Sequence, residues 1–313
     1  LTDRFPDNAL DLSLLPRPAS IEAISFEAIL DARMADLVAR FTAAAITYDV
    51  GMLETDPAKI LQEVDAFREM LVRQRIDDAI DATSLAYAVG TDLDVRAADF
   101  DTRRAAGELD PSLRRRAQLA YENLSKGGSY GGYEYQARAV SPVEIADCVV
   151  YGHEIDVVPK GEVRIALLGT NSSGVASDDL IGRVAARFAG RGDRKVNDRV
   201  NVVPADIAGY AIDATLVLRR GAQPRPDPAP VRNAQYVQVL AYAASRRAIG
   251  ATITYPGLAA ALGGGQSASY IADVEIHSPF AGVEPIASVP PIGGGPFEAP
   301  VCTGLTLDYR VEA

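Results

Sequence analysis

The amino-acid sequence reads as α+β, with a helical N-terminal region followed by mixed strands and helices. Three observations carry that reading. Residues 25–142 place apolar side chains at helical spacing behind recognisable helix starts. The pattern changes character at Val143. Beyond it, strand-like runs and helical segments follow one another as strand-helix-strand, twice, which is a split βαβ-like order. With 313 residues, 48% hydrophobic and 23% charged, the chain has room for two or three domains. We expect an extended arm at 1–24, a helical bundle region at 25–142 and an α+β region at 143–313, the last divided at 222/223.

The arm carries Leu10, Leu12, Leu14 and Leu15 without a period, so it cannot bury them alone and must lie on its own domain or on a neighbour. Ser25 is placed to cap a first helix through Phe26, Ile29, Leu30, Leu37, Val38 and Phe41. A second opens at Asp56-Pro57, since proline at the first helical position loses no needed hydrogen bond. Ile60, Leu61, Val64, Phe67, Leu71, Ile76 and Ile80 carry its apolar side, and Gly90 suits its end. That length favours a bundle or coiled-coil partner. A third helix begins at Asp110-Pro111 and stops at Gly127 and Gly128, where glycine tolerates the left-handed conformation. With Gly131 and Gly132 these glycines form a turn before "GYEYQARAV" resumes the helical period, as far as Ser141-Pro142.

In the α+β region, "EVRIALLG" is a strand and "SDDLIGRVAARFAG" a helix capped by Ser177. "DRVNVVPAD" and "AGYAIDATLVLRR" follow as strands, the second alternating Ile212, Ala214, Leu216 and Leu218 against Asp213 and Thr215. A proline-rich connector leads to the helices "NAQYVQVLAYAASRR" and "TYPGLAAALGG", then the strand "IADVEIHSP". A long Gly/Pro loop, 282–300, precedes the last strand, "GLTLDYRVE".

Net charge is −11, opposing the basic footprint that duplex nucleic acid needs. No apolar run approaches a membrane span, and the first residues show no secretory pattern, so we expect a soluble protein without direct membrane insertion. Cys148 and Cys302 are too few for a disulfide framework or a Cys-rich zinc site. Around "KGGSYGG" the lysine precedes the glycines and a helix precedes the loop, the reverse of a phosphate-binding P-loop. Tyr130, Tyr133 and Tyr135 cluster there, but Tyr133 and Tyr135 fall on different helix faces. His153, Glu154 and Asp156 are read as an exposed turn, Cys148 as a buried small hydrophobe, and His277 stands alone. "LRRRAQ" (113–118) is read as a solvated basic helix face or a partner contact. We therefore expect no catalytic, cofactor or metal residues.

Several segments in order carry a family resemblance: "FEAILDARMADLV", "LETDPAKILQEVDAFREMLVRQRIDDAIDATSLAYAVGTDLD", "RRRAQLAYENLSKGGSYGGYEYQARAVSP" and "NDRVNVVPADIAGYAIDATLVL". From about Phe26 onward the chain resembles the baseplate J family of contractile-tailed bacteriophages. The resemblance implies a structural wedge protein of the virion tail, made in the host cytoplasm and not an enzyme. It implies two copies joined to one tail protein I through a helical bundle, and contacts with neighbouring wedges and other baseplate proteins near the central spike and sheath. Phe26, Ile29, Leu37, Leu61, Val64, Phe67 and Leu71 are the expected bundle contacts. The competing reading is a polysaccharide-binding or hydrolytic tail component using Glu154, Asp156 and the tyrosine corner, which needs paired carboxyl groups in a cleft.

Overall fold

A computed structural model describes residues 10–18, 23–48, 53–124, 128–190, 193–220, 228–265, 268–280 and 290–312. Gly127, the arm before Leu10 and positions 282–289 of the long loop lie outside the described residues. The helices and strands make an α+β protein. Two compact units divide between Arg104 and Ala105: Asp11–Arg104, and Ala105–Ala313 together with Leu1–Leu10. The change of character seen in the sequence at 142/143 thus falls inside the second unit.

The first unit is helical. Helix α1 (Phe26–Ala43) is capped by Ser25, whose Oγ accepts from Ala28 N. Helix α2 (Pro57–Ala82) is capped by Asp56, which accepts from Lys59 N at 3.0 Å. Both caps were legible from residue type alone. The end of α2 was not. Thr83 Oγ1 donates to Ile80 O and Ser84 Oγ accepts from Ala86 N, so hydroxyl groups compete for the backbone and stop the helix early. Gly90, expected as the stop, has φ +56° and begins a further helix, α3 (Gly90–Ala98). The arm rests on this unit through Tyr87, whose hydroxyl donates to Leu15 O, and through the Arg17–Asp81 ion pair; Leu14 stays exposed.

In the second unit, helices α4 (Asp110–Asn123) and α5 (Tyr130–Val140) pack together and lead into a three-stranded sheet. That sheet holds β1 (Ile145–Tyr151), β2 (Glu162–Gly169) and β3 (Arg199–Pro204). Strand β1, unmarked by any sequence period because it is buried on both faces, pairs antiparallel with β2. Helix α6 (Asp178–Ala189) connects β2 to its parallel neighbour β3 as a βαβ unit.

The chain then changes sheet without a turn. Ala205 N still bonds Leu167 O beside β2, whereas Asp206 N bonds Phe297 O in the other half. Strand β4 (Asp206–Leu218), assigned from sequence to the first half, is instead the centre of the second sheet. Helix α7 (Pro228–Ser245), a short β5 (Thr252–Ile253) and helix α8 (Tyr255–Gly263) follow. Strand β6 (Ile271–Ser278) pairs antiparallel with β4, β7 (Ile292–Gly293) pairs with β5, and β8 (Glu298–Val311) runs parallel to β4 along its whole length. Tyr151, Leu168 and Ala205 pack against Ile249, Ala299 and Val301, which closes the seam between the two sheets.

Two site expectations change here. Gly131 and Gly132 are not in the turn but in the first turn of α5. Gly131 N donates to Glu122 Oε2 at 3.0 Å, and a Cβ there would stand 2.4 Å from that carboxyl group. Any larger residue there would have to displace that carboxyl group. Gly128, at φ +80°, does make the turn.

The basic run is not a solvated face either. Arg116 is buried against Glu108 at 2.6 Å, and Arg115 pairs with Glu134 at 2.8 Å. Glu134 also accepts from Arg138 Nε at 2.8 Å, and Arg138 Nη2 donates to Asp147 Oδ1 at 2.8 Å. Asp147 accepts further from Cys148 N and, across the seam, from Ile249 N at 2.9 Å. Burial opposes the Arg138 charge, yet Glu134 and Asp147 outweigh it and hold its pKa above the ordinary value. A run of consecutive arginines looks solvated in sequence because the carboxylates that pair with Arg115 and Arg116 are brought to them only by folding.

Removing one member of such a pair leaves a buried charge uncompensated. Asp147→Ala should therefore lose roughly 3–5 kcal/mol in urea unfolding. Arg183→Ala, which breaks the solvent-screened contacts to Glu144 and Asp179, should shift the urea midpoint far less than Asp147→Ala.

Candidate functional site

Helix α2 carries the most unusual surface. Ile60, Val64, Phe67 and Leu71 recur at i, i+4, i+7 and i+11, so they form one stripe. An apolar stripe of this kind ordinarily faces the core. Here Ile60, Val64, Phe67 and Leu71 are 43–51% exposed, and Leu61, Val72 and Ile76 are exposed as well but fall outside the stripe on the helical wheel.

The opposite, polar side of α2 is the one that meets α1. Arg33 on α1 donates to Gln62 Oε1 at 3.1 Å, Asp65 Oδ2 at 3.1 Å and Glu69 Oε2 at 3.0 Å. Glu69 also pairs with Arg73, and these two arginines hold its carboxyl below the ordinary carboxylate range. The apolar contribution at this contact is small: Ala66 is fully buried and Ile29 is 8% exposed. A cleft of about 500 Å³ runs along it, lined among others by Ala28, Ala32, Leu37 and Arg33. The hairpin is thus held by a charged comb while its apolar stripe faces water.

The expected bundle residues divide accordingly. Val64, Phe67 and Leu71 are together on the exposed stripe, Leu61 is exposed outside it, Phe26 and Leu37 are half-buried on α1, and Ile29 is occupied within the hairpin. Ile60 was missed as a surface contact; a helical wheel places it within the stripe.

The competing site does not assemble into a cleft of paired carboxyls. Glu154 sits in the exposed turn between β1 and β2, where it accepts from Gly152 N at 2.7 Å and from the Tyr130 hydroxyl at 2.9 Å. Partial desolvation disfavours its charged form, but the backbone N–H bonds and Tyr130 prevail and hold its pKa below the ordinary value. A glycosidase general acid needs the opposite shift. Asp156 and His153 are exposed in the same turn, and Cys148 is buried in β1. His277 shares a hydrogen bond with Thr215 on the neighbouring strand. No group of three or more His, Cys, Asp or Glu is placed to hold a metal among the described residues, nor does any described helix have the length and apolarity to cross a membrane.

The tyrosine corner has a structural task. Tyr133 is buried, packs its ring 5.6 Å from that of Phe188, donates to Asp198 Oδ2 at 2.6 Å and accepts from Lys195 N at 3.2 Å. It ties α5 to α6 and to the loop before β3. Burial first, and the Asp198 bond second, push its pKa up to about 12 from 10.0. Because the folded value is raised, the associated stability is complete below pH 10 and is lost as pH rises toward 12. Urea midpoints should therefore fall between these pH values, and Tyr133→Phe should flatten that fall while costing about 1 kcal/mol at pH 7.

Comparison with known proteins agrees with the segments that carry the resemblance. Residues 54–107, which include α2 and α3, match the Baseplate J-like N-terminal domain. The chain is 34% identical over 294 residues to baseplate protein J of Escherichia phage P2, covering 88% of this chain and 92% of that relative. Similarity of this extent spans both compact units, and the chain belongs to the baseplate J family.

Proposed function

We propose that this protein is a structural component of a contractile phage-tail baseplate, in which it builds the wedge and has no enzymatic task. Two copies join one tail protein I, and α2 supplies the seam of the helical bundle that unites them. The observation that carries this reading is the reversed amphipathicity of α2: its charged side is satisfied by α1 and its apolar stripe is left in water. Burying an exposed Val, Leu or Phe side chain stabilises by about 1.5–3 kcal/mol, so a partner helix laid on Val64, Phe67 and Leu71 gains a substantial association energy.

The α+β unit offers a second face for neighbouring wedges around the spike. Along α7, Tyr236, Val237 and Leu240 are exposed, with Ala234, Ala241 and Ala244 beside them. An uncharged helix face in a chain of net charge −11 suits contact with like-charged neighbours. Such a particle component resides in the virion tail after synthesis in the host cytoplasm.

Native mass spectrometry of this chain co-expressed with tail protein I tests the proposal. The expected species contains two copies of this chain and one of the partner. The double substitution Phe67→Asp with Leu71→Asp should abolish that species. It should leave the unfolding of the isolated chain within about 0.5 kcal/mol, because both side chains are exposed there. An isolated monomer that ignores the partner would overturn the wedge reading.

A further inference from the structure

The charges bordering the α2 stripe specify what kind of helix covers it. Arg68 and Arg75 are exposed and one heptad apart, on the same edge of the stripe formed by Ile60, Val64, Phe67 and Leu71. Neither has an ion pair or side-chain hydrogen bond among the described residues, whereas the other cations of the helix do: Lys59 meets Glu54 at 2.6 Å and Arg73 meets Glu69 at 2.8 Å. One free surface arginine is ordinary. Two at heptad spacing, beside an uncovered apolar seam, occupy the flanking positions from which helices select their partners.

We infer that α2 docks an amphipathic helix of a different protein that carries two carboxylates seven residues apart, set opposite Arg68 and Arg75. This rests on the bundle reading above and adds the chemistry of the occupant. A second copy of α2 does not fit as well. In a parallel pair the facing column of the second copy is Glu63, Met70 and Asp77, so Arg68 meets Glu63 but Arg75 meets Met70. Asp77 is buried in its own unit and unavailable. In an antiparallel pair the arginine columns face each other and repel. Only a chain with its own acidic column satisfies both arginines.

Two labelled three-heptad helical peptides test this, both with leucine at the seam, one with glutamate and one with lysine at every flanking position. Binding to the full chain is followed by fluorescence anisotropy. Exposed ion pairs contribute modestly, but exchanging attraction for repulsion at two positions should favour the glutamate peptide roughly tenfold. The preference should collapse at about 1 M salt, where screening reaches about 3 Å. Arg68→Glu with Arg75→Glu should invert it.

Equal affinity for both peptides, lost on Phe67→Asp, would overturn the charge assignment and leave the stripe as a docking surface. Failure of both peptides to bind would overturn the docking reading itself. Self-association of the chain that Arg68→Glu abolishes would assign the face to a second copy instead.

Discussion

The second unit turns on one buried carboxylate. Asp147 leaves solvent only because each of its oxygens is engaged, by Arg138 on α5, by the adjacent Cys148 N–H, and by Ile249 N–H from beyond α7. A charge taken from water is tolerated when paired and hydrogen-bonded and costs several kcal/mol when not. That condition links three parts of the chain. Helix α5 must present Arg138, β1 must place Asp147 against it, and the segment after α7 must return to close the last oxygen. Glu134, shared by Arg115 and Arg138, extends the same condition to α4. The apolar seam of Tyr151, Leu168, Ile249 and Val301 packs around a geometry already set by these directional bonds.

The helical unit follows a different rule. Its internal contact is made by Arg33, Asp65 and Glu69, half-exposed groups whose pairing is worth little in water. Its apolar stripe contributes nothing to this hairpin. In the bundle proposed above, a hairpin held this weakly by itself, with its apolar side outward, would complete its core by association. Membership of the baseplate J family gives that arrangement a setting, since the matched residues 54–107 contain α2. The physics of the stripe would call for a partner even without the family.

Local chemistry made much of the fold legible. Ser25, Asp56 and Ser177 cap the helices they were expected to cap, because capping depends on a side chain and the backbone N–H three residues on. Strand β4 shows its alternation because one face is core and the other is not. Strand β1 showed none, being covered on both sides. Gly90 misled for a related reason: a glycine permits a left-handed residue but does not say whether a helix ends or begins there. The basic run at 113–118 looked solvated until folding brought up Glu108 and Glu134. Of the candidate surface, the α2 residues were named from their period, while the side of α2 that meets α1 was not legible.

Helix starts, the α+β class, the unfavourable field for nucleic acid and the apolar period of α2 were set by residue type and spacing, which act within a few positions or through net charge. Three things awaited the folded chain: the exchange of β4 into the second sheet, the burial of Arg138 with Asp147, and the turning of the α2 stripe to solvent. Each depends on groups far apart in sequence that satisfy one another only when brought together. Pairing of strands and matching of buried charges are properties of neighbours in space, and a linear pattern records only which neighbours each residue could accept.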